Sequence, residues 1–261
     1  MTKLIRVVKE KENKLAVITI DNPPLNVISK QVFRELGDTF DELSKDTETV
    51  AVLITGAGNI AFAAGADIKE FPSMMGNPNM KEMVKESHAV LTKIDQFPKP
   101  TIAVLNGLTL GGGCELALAC DLRVAETQVQ IGLPEVKLGL FPGAGGTQRL
   151  SRLVGNAKAK EIIFTGDPLS AMEAEKIGLV NKVVEQGSGL SEAKILASRM
   201  TRHSLQALSR IKKAINEGSE TTLEQGLEIE TNLFEEIFQT EDVKEGVSAF
   251  LDKRKPAFVH R

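Results

Sequence analysis

The chain has 261 residues, 42% of them hydrophobic and 26% charged, with a net charge of −3. That length and balance suit a globular chain with one sizeable core. The absence of Trp and Tyr, together with the slightly acidic charge, argues against nucleic acid and anionic membrane surfaces as partners. Cys114 and Cys120 share one apolar run and read as free buried thiols, which fits a reducing, cytoplasmic location better than a disulfide or zinc framework. The N-terminal stretch MTKLIRVVKEKENK lacks an apolar h-region, so no leader peptide is expected. No apolar run reaches the ~20 residues that span a bilayer.

In chain order, LIRVVKE and KLAVITIDN read as a two-stranded hairpin ending at Asn22-Pro23-Pro24. Residues 31–44 have helical periodicity, and AVLITG at 51–56 is a short buried strand closed by glycine. An amphipathic helix over 80–97 is stopped by Pro98 and Pro100. TIAVLNG is the next buried strand, CELALAC a short helix and DLRVAE another strand. Strands apolar on both faces, alternating with helices, predict an α/β fold with a mostly parallel sheet. The segments at 198–218, 221–240 and 241–255 are all helical without a strand between them. A helical appendage is therefore expected to begin near residue 195.

Two glycine-rich stretches imitate nucleotide sites. TGAGNIA spells Gly56-x-Gly58-x-x-Ala61 after a strand, but no second strand with an acid follows about 20 residues on. A plain turn is the better reading. PGAGGT (142–147) has no Gly-Lys-Ser/Thr ending and reads as a tight turn before a helix. His88, His203 and His260 are scattered, without acids or cysteines at ligand spacing. They read as surface or structural residues, and no metal site or Ser-His-Asp triad is expected.

The acids carry more. LTLGGGCELALACD places Glu115 in an apolar segment, in the first turn of a helix opened by Gly111-Gly112-Gly113. A buried unpaired carboxylate is costly, so this acid either complements a helix dipole or does chemistry. Glu135 follows Pro134, an ordinary helix start. The tiny residues of AFAAGADIKEF (61–71) and the triple glycine both let a ligand approach the backbone. Two such edges can supply two N–H groups to one developing oxyanion.

FAAGADIKE, NGLTLGGGCELALACD, LPEVKLGLFPGAGGTQRL, TGDPLSAMEAEKIGLVNKVV and EGVSAFLDKRKPAF, in this order and spacing, resemble the signature segments of the enoyl-CoA hydratase/isomerase (crotonase) superfamily over nearly the whole chain. The resemblance implies a spiral of ββα units over 1–195, holding the CoA and catalytic sites. It further implies a helical segment over 196–261 used in forming a homotrimer or dimer of trimers. Ala66 and Gly112 match the oxyanion-hole positions, and Glu115 and Glu135 the catalytic glutamates of hydratases. Gly143 matches a glycine lining the site. Ala64, Ala66, Asp67, Ile68 and Lys69 match the CoA-contacting segment, and Lys253 a lysine that reaches CoA from a neighbouring subunit. Many relatives carry a basic residue where this chain has Asn22–Asn26, which argues against a phosphate contact from that loop.

The implied activity is hydration of an enoyl-CoA thioester, with no cofactor and no metal, coenzyme A being part of the substrate. Leu116, Leu133 and Phe141 are expected to form an apolar shell that keeps a carboxyl protonated. The alternatives within the superfamily are an enoyl-CoA isomerase, which manages with the acid at Glu135, and a branched-chain methylglutaconyl-CoA hydratase. A non-catalytic or RNA-binding member is the alternative from another class; the acid pair and the charge balance oppose it.

Overall fold

Strands β1 (Ile5–Glu10) and β2 (Leu15–Ile20) form the expected antiparallel hairpin, with Ile5 opposite Ile20. The structure is a computed structural model and describes residues 3–261. Helix α1 (Lys30–Ser44) begins at Ser29, whose hydroxyl accepts the Val32 N–H, the usual satisfaction of an orphan helix donor. It buries Val32, Leu36, Phe40 and Leu43 along one stripe.

The chain then lays down strands in pairs, one to each of two sheets. β3 (Ala51–Gly56) enters a large sheet and β4 (Ala61–Ala64) a small one, followed by a 3₁₀ turn over Ile68–Ser73 and helix α2 (Met80–Asp95). β5 (Thr101–Leu105) and β6 (Leu108–Leu110) repeat the pattern and lead into helix α3 (Gly112–Leu118). β7 (Leu122–Glu126) and β8 (Gln130–Gly132) repeat it again, followed by a 3₁₀ turn over Pro134–Leu138 and helices α4 (Gly146–Val154) and α5 (Asn156–Thr165). β9 (Leu169–Ser170), helix α6 (Ala171–Lys176) and β10 (Lys182–Val184) complete the sheets. The large sheet has the order β1-β2-β3-β5-β7-β10 and is parallel from β2 onward. The small sheet has the order β4-β6-β8-β9, with β9 antiparallel. This strand–strand–helix repeat is the spiral of ββα units that the resemblance implies.

The large sheet is buried on both faces. Val52, Ile54, Ala103 and Leu105 face a core shared with Phe62, Leu116 and Ile131. Leu53, Ile102, Val104 and Val124 face Ala193 and Ala197, which lie on helix α7 (Gly189–Thr201). Residue 195 therefore falls within a helix that covers the sheet, and a wholly helical segment follows this helix. It comprises helices α8 (Leu205–Gly218), α9 (Leu223–Ile237) and α10 (Glu241–Leu251). No residue of α8 is fully buried, and Leu223, Phe234 and Phe250 are 79%, 64% and 83% exposed.

Candidate active site

The three parallel strands of the small sheet end in one row: Ala64 pairs with Leu110, and Leu110 with Gly132. Two residues beyond the row lie Ala66 and Gly112, and three beyond it lies Glu135. The sheet register thus gathers four of the expected site residues at the carboxyl ends of parallel strands, since Glu115 follows Gly112 by one helical turn.

The glycines of the β6–α3 connection are required by this crowding. Gly111 has φ +52°, its N–H donates to Gly132 O at 3.0 Å, and a Cβ there would stand 3.1 Å from Glu135 Oε1. A Cβ on Gly113 would lie 1.9 Å from Ala63 O, so α3 rests directly on β4. Gly112 is the first residue of α3, so its N–H has no acceptor within the helix. The Ala66 N lies 3.6 Å from the point where a Gly112 Cβ would be. Ile28 N–H donates to Gly65 O and Asp67 N–H to Ile28 O, so the Ala66 N–H points away from that bridge. Two amides are left facing one region, at the positive end of α3.

Glu115 is 3% exposed. Its Oε1 accepts the Ala144 N–H at 2.7 Å and the Gly146 N–H at 2.8 Å, while Oε2 takes no protein donor among the described residues. Burial holds its carboxyl above the usual range, offset in part by the Gly146 and Ala144 amides and by His88 and Arg149. Glu135 sits on the 3₁₀ turn started by Pro134, and its Oε2 is buried without a partner. Burial pushes its carboxyl up to about 7, offset in part by its own backbone N–H and helped to a lesser degree by the Glu115 charge. An acid with that value is half protonated near neutral pH. The charge of Glu115 acts on Glu135 in the same direction as burial.

Leu116 and Leu133 are buried beside these acids, as expected. Phe141 is not part of that shell: it is 73% exposed, because it precedes the turn that carries Ala144 inward. Gly143 lies on the turn, and its carbonyl accepts a hydrogen bond from His88 Nε2 at 2.7 Å. Ala64 ends β4, and Asp67 caps the following 3₁₀ turn by accepting the Lys69 N–H. Ile68 and Lys69 are exposed beside the Ala66 amide. Lys253 is exposed beyond α10, and its ammonium makes no ion pair among the described residues.

The sequence reading missed the two backbone amides on Glu115 and the contact of His88. The glycine-rich 142–147 stretch was their signal: it is a tight turn before a helix, as expected, but its N–H groups bind an acid. The Gly56-x-Gly58-x-x-Ala61 stretch is likewise a turn, from β3 to β4. Asn26 donates to Ala57 O and Ala61 O, and Asn106 to Gly56 O and Gly58 O. The loop is closed by these amides and opens no helix, so it offers no pyrophosphate cradle. Among the described residues no three His, Cys, Asp or Glu side chains group as metal ligands, and no helix is long and apolar enough to cross a membrane. Burial pushes the thiols of Cys114 and Cys120 up, which leaves them inert.

Comparison with known proteins agrees with this geometry. Residues 10–261 match the family model described as enoyl-CoA hydratase/isomerase. The short-chain-enoyl-CoA hydratase of Clostridium acetobutylicum is 43% identical over 253 residues, 97% of each chain. The crotonyl-CoA hydratase of Syntrophomonas wolfei is 42% identical over 256 residues, 98% of each chain. The structure of an enoyl-CoA hydratase from Bacillus anthracis superposes with a TM-score of 0.92 at 36% identity, covering 99% of this chain and 100% of that one.

Proposed function

The chain belongs to the enoyl-CoA hydratase/isomerase family, and from that premise we propose how its residues serve the reaction. It is an enoyl-CoA hydratase: it adds water across the 2,3 double bond of an enoyl-CoA thioester to give a 3-hydroxyacyl-CoA. The observation that carries the mechanism is the unlike pair of acids beside two free amides. Glu115 is held by two N–H donors on one oxygen, whereas Glu135 has a buried oxygen with no partner.

The thioester oxygen sits between the Ala66 and Gly112 N–H groups, which stabilise the enolate charge as it develops. Water lies between the carboxyls. Its oxygen bonds to Cβ while its proton passes to Glu115 Oε2, the oxygen that the amides leave free. The Glu135 carboxylic acid delivers its proton to Cα as the enolate collapses. Proton transfer between the paired acids then restores the starting state, and the net change is one water added. An isomerase needs chiefly the Glu135 acid, and the two amides spent on Glu115 favour hydration.

Ala64, Asp67, Ile68, Lys69 and Gly143 are proposed to line the CoA ester, with Lys253 reaching it from a neighbouring subunit. The exposed apolar residues of α9 and α10 are proposed to be covered in a homotrimer or dimer of trimers. The free buried thiols support a cytoplasmic location, and the chemistry above requires neither cofactor nor metal. The test is loss of enoyl-thioester absorbance on adding crotonyl-CoA to enzyme dialysed against EDTA, without added nucleotide. Turnover under those conditions supports the reading. Activity that returns only with added metal or nucleotide overturns it, and a monomer at micromolar concentration in sedimentation equilibrium overturns the assembly.

A further inference from the structure

We infer that His88 is a positioning residue for Glu115, acting through the peptide bond between Gly143 and Ala144. The inference rests on the hydratase reading for the role of Glu115. One peptide unit lies between the two side chains: its C=O accepts from His88 Nε2 at 2.7 Å, and its N–H donates to Glu115 Oε1 at 2.7 Å. A carbonyl only accepts, so Nε2 carries the proton in either charge state of the ring. His88 comes from α2, in a different ββα unit from Glu115 on α3. The contact therefore ties one repeat to the acid of the next.

Arg149 holds the far side of the turn through Ala144 O and Gly145 O, and His88 holds the Gly143 side. A side chain at Gly143 would meet nothing within 4 Å, and Gly145 has φ +104°. Glycine backbone of this kind reorients at little steric cost, and rotation of the 143–144 peptide would turn its N–H away from Glu115. His88 fixes the orientation in which that N–H faces the carboxyl. A donor on the carbonyl also strengthens the N–H on the other side of the same peptide. Both effects favour the ionised form of Glu115, the form that accepts the proton of water. The charged groups around this contact are Glu115 and Glu135 within the site and Arg149 on α4. Asp41 on α1 and Lys85 and Lys93 on α2 line the groove beside the His88 ring.

The experiment compares wild type with His88→Ala and His88→Gln in crotonyl-CoA hydration across pH. It is paired with carboxyl NMR of 13C-labelled glutamate, using Glu115→Gln to assign the Glu115 signal. His88 is exposed and sits within a helix, so both variants keep the fold. His88→Ala should lower kcat about tenfold, the scale of one hydrogen bond, with KM little changed. Its acidic limb and the Glu115 titration should both move to higher pH. His88→Gln, which donates from the same place without a charge, should recover most of kcat. Wild-type kcat and an unmoved Glu115 titration in His88→Ala would overturn the inference, as would a Gln variant no better than Ala. If the wild type does not hydrate crotonyl-CoA, the hydratase reading falls, and the NMR titration still decides whether His88 acts on Glu115.

Discussion

The central strands of the large sheet, β3 and β5, have five or six residues buried along their whole length. The strands of the small sheet are two to four residues long and none is buried throughout, and three of them stop within three residues of a group assigned to the site. The first arrangement buries apolar area on two faces and contributes mainly stability. The second buries less, but its parallel register sets Ala66, Gly112 and Glu135 side by side. On the proposed mechanism, stability and chemistry are carried by different strands of the same repeat, and substitutions should separate them.

The largest separation is expected at Gly113, where α3 rests on β4. Gly113→Ala places a Cβ against Ala63 O, lifts the helix and displaces the Gly112 amide. Loss of one oxyanion donor costs about 10²–10³ in kcat. The comparison fails if folded Gly113→Ala, checked by circular dichroism, keeps wild-type kcat. The converse is Leu53→Ala on the outer face of the large sheet. It should cost about 2–5 kcal/mol of stability, read by thermal unfolding, with kcat of the folded enzyme unchanged. A fall in kcat as large as that of Gly113→Ala would show that the two sheets are not separable.

The smallest effect is a linkage at Glu135. Its carboxyl lies at about 7 in the folded chain against an ordinary 4.5, so the folded state binds the proton more tightly. The stability this contributes is complete below pH 4.5 and is lost as pH rises to about 7. Glu135→Gln should therefore gain Tm relative to wild type across that interval and hold the gain above it. A difference in Tm independent of pH would contradict the burial of this acid.

The two classes of strand also differ in how plainly the sequence announces them. AVLIT and TIAVL are continuous apolar runs bounded by Gly and Pro, and the pattern identifies them directly. LTL and QIG are too short to show a period, and their pairing is fixed by packing between repeats. The same holds for α7: its sequence is helical, but that Ala193 and Ala197 pack on the large sheet is a tertiary fact. Glu115 was legible because an acid in an apolar run is anomalous. The amides of Ala144 and Gly146 were not, because backbone donors leave no residue type to read. His88 reads as a surface residue, and it is exposed; its partner lies 55 positions away on another repeat.

The central claim is that Glu115 accepts the proton of water while Glu135 serves Cα. It is tested most directly by measuring, in Glu115→Gln, hydration of crotonyl-CoA beside double-bond shift in a 3-enoyl-CoA. Hydration should fall by about 10²–10⁴, the scale of one general acid–base group. The double-bond shift, which needs mainly Glu135 and the two amides, should fall far less. Intact hydration in the folded variant would contradict the account and leave Glu115 as an acid that only anchors the 142–146 turn.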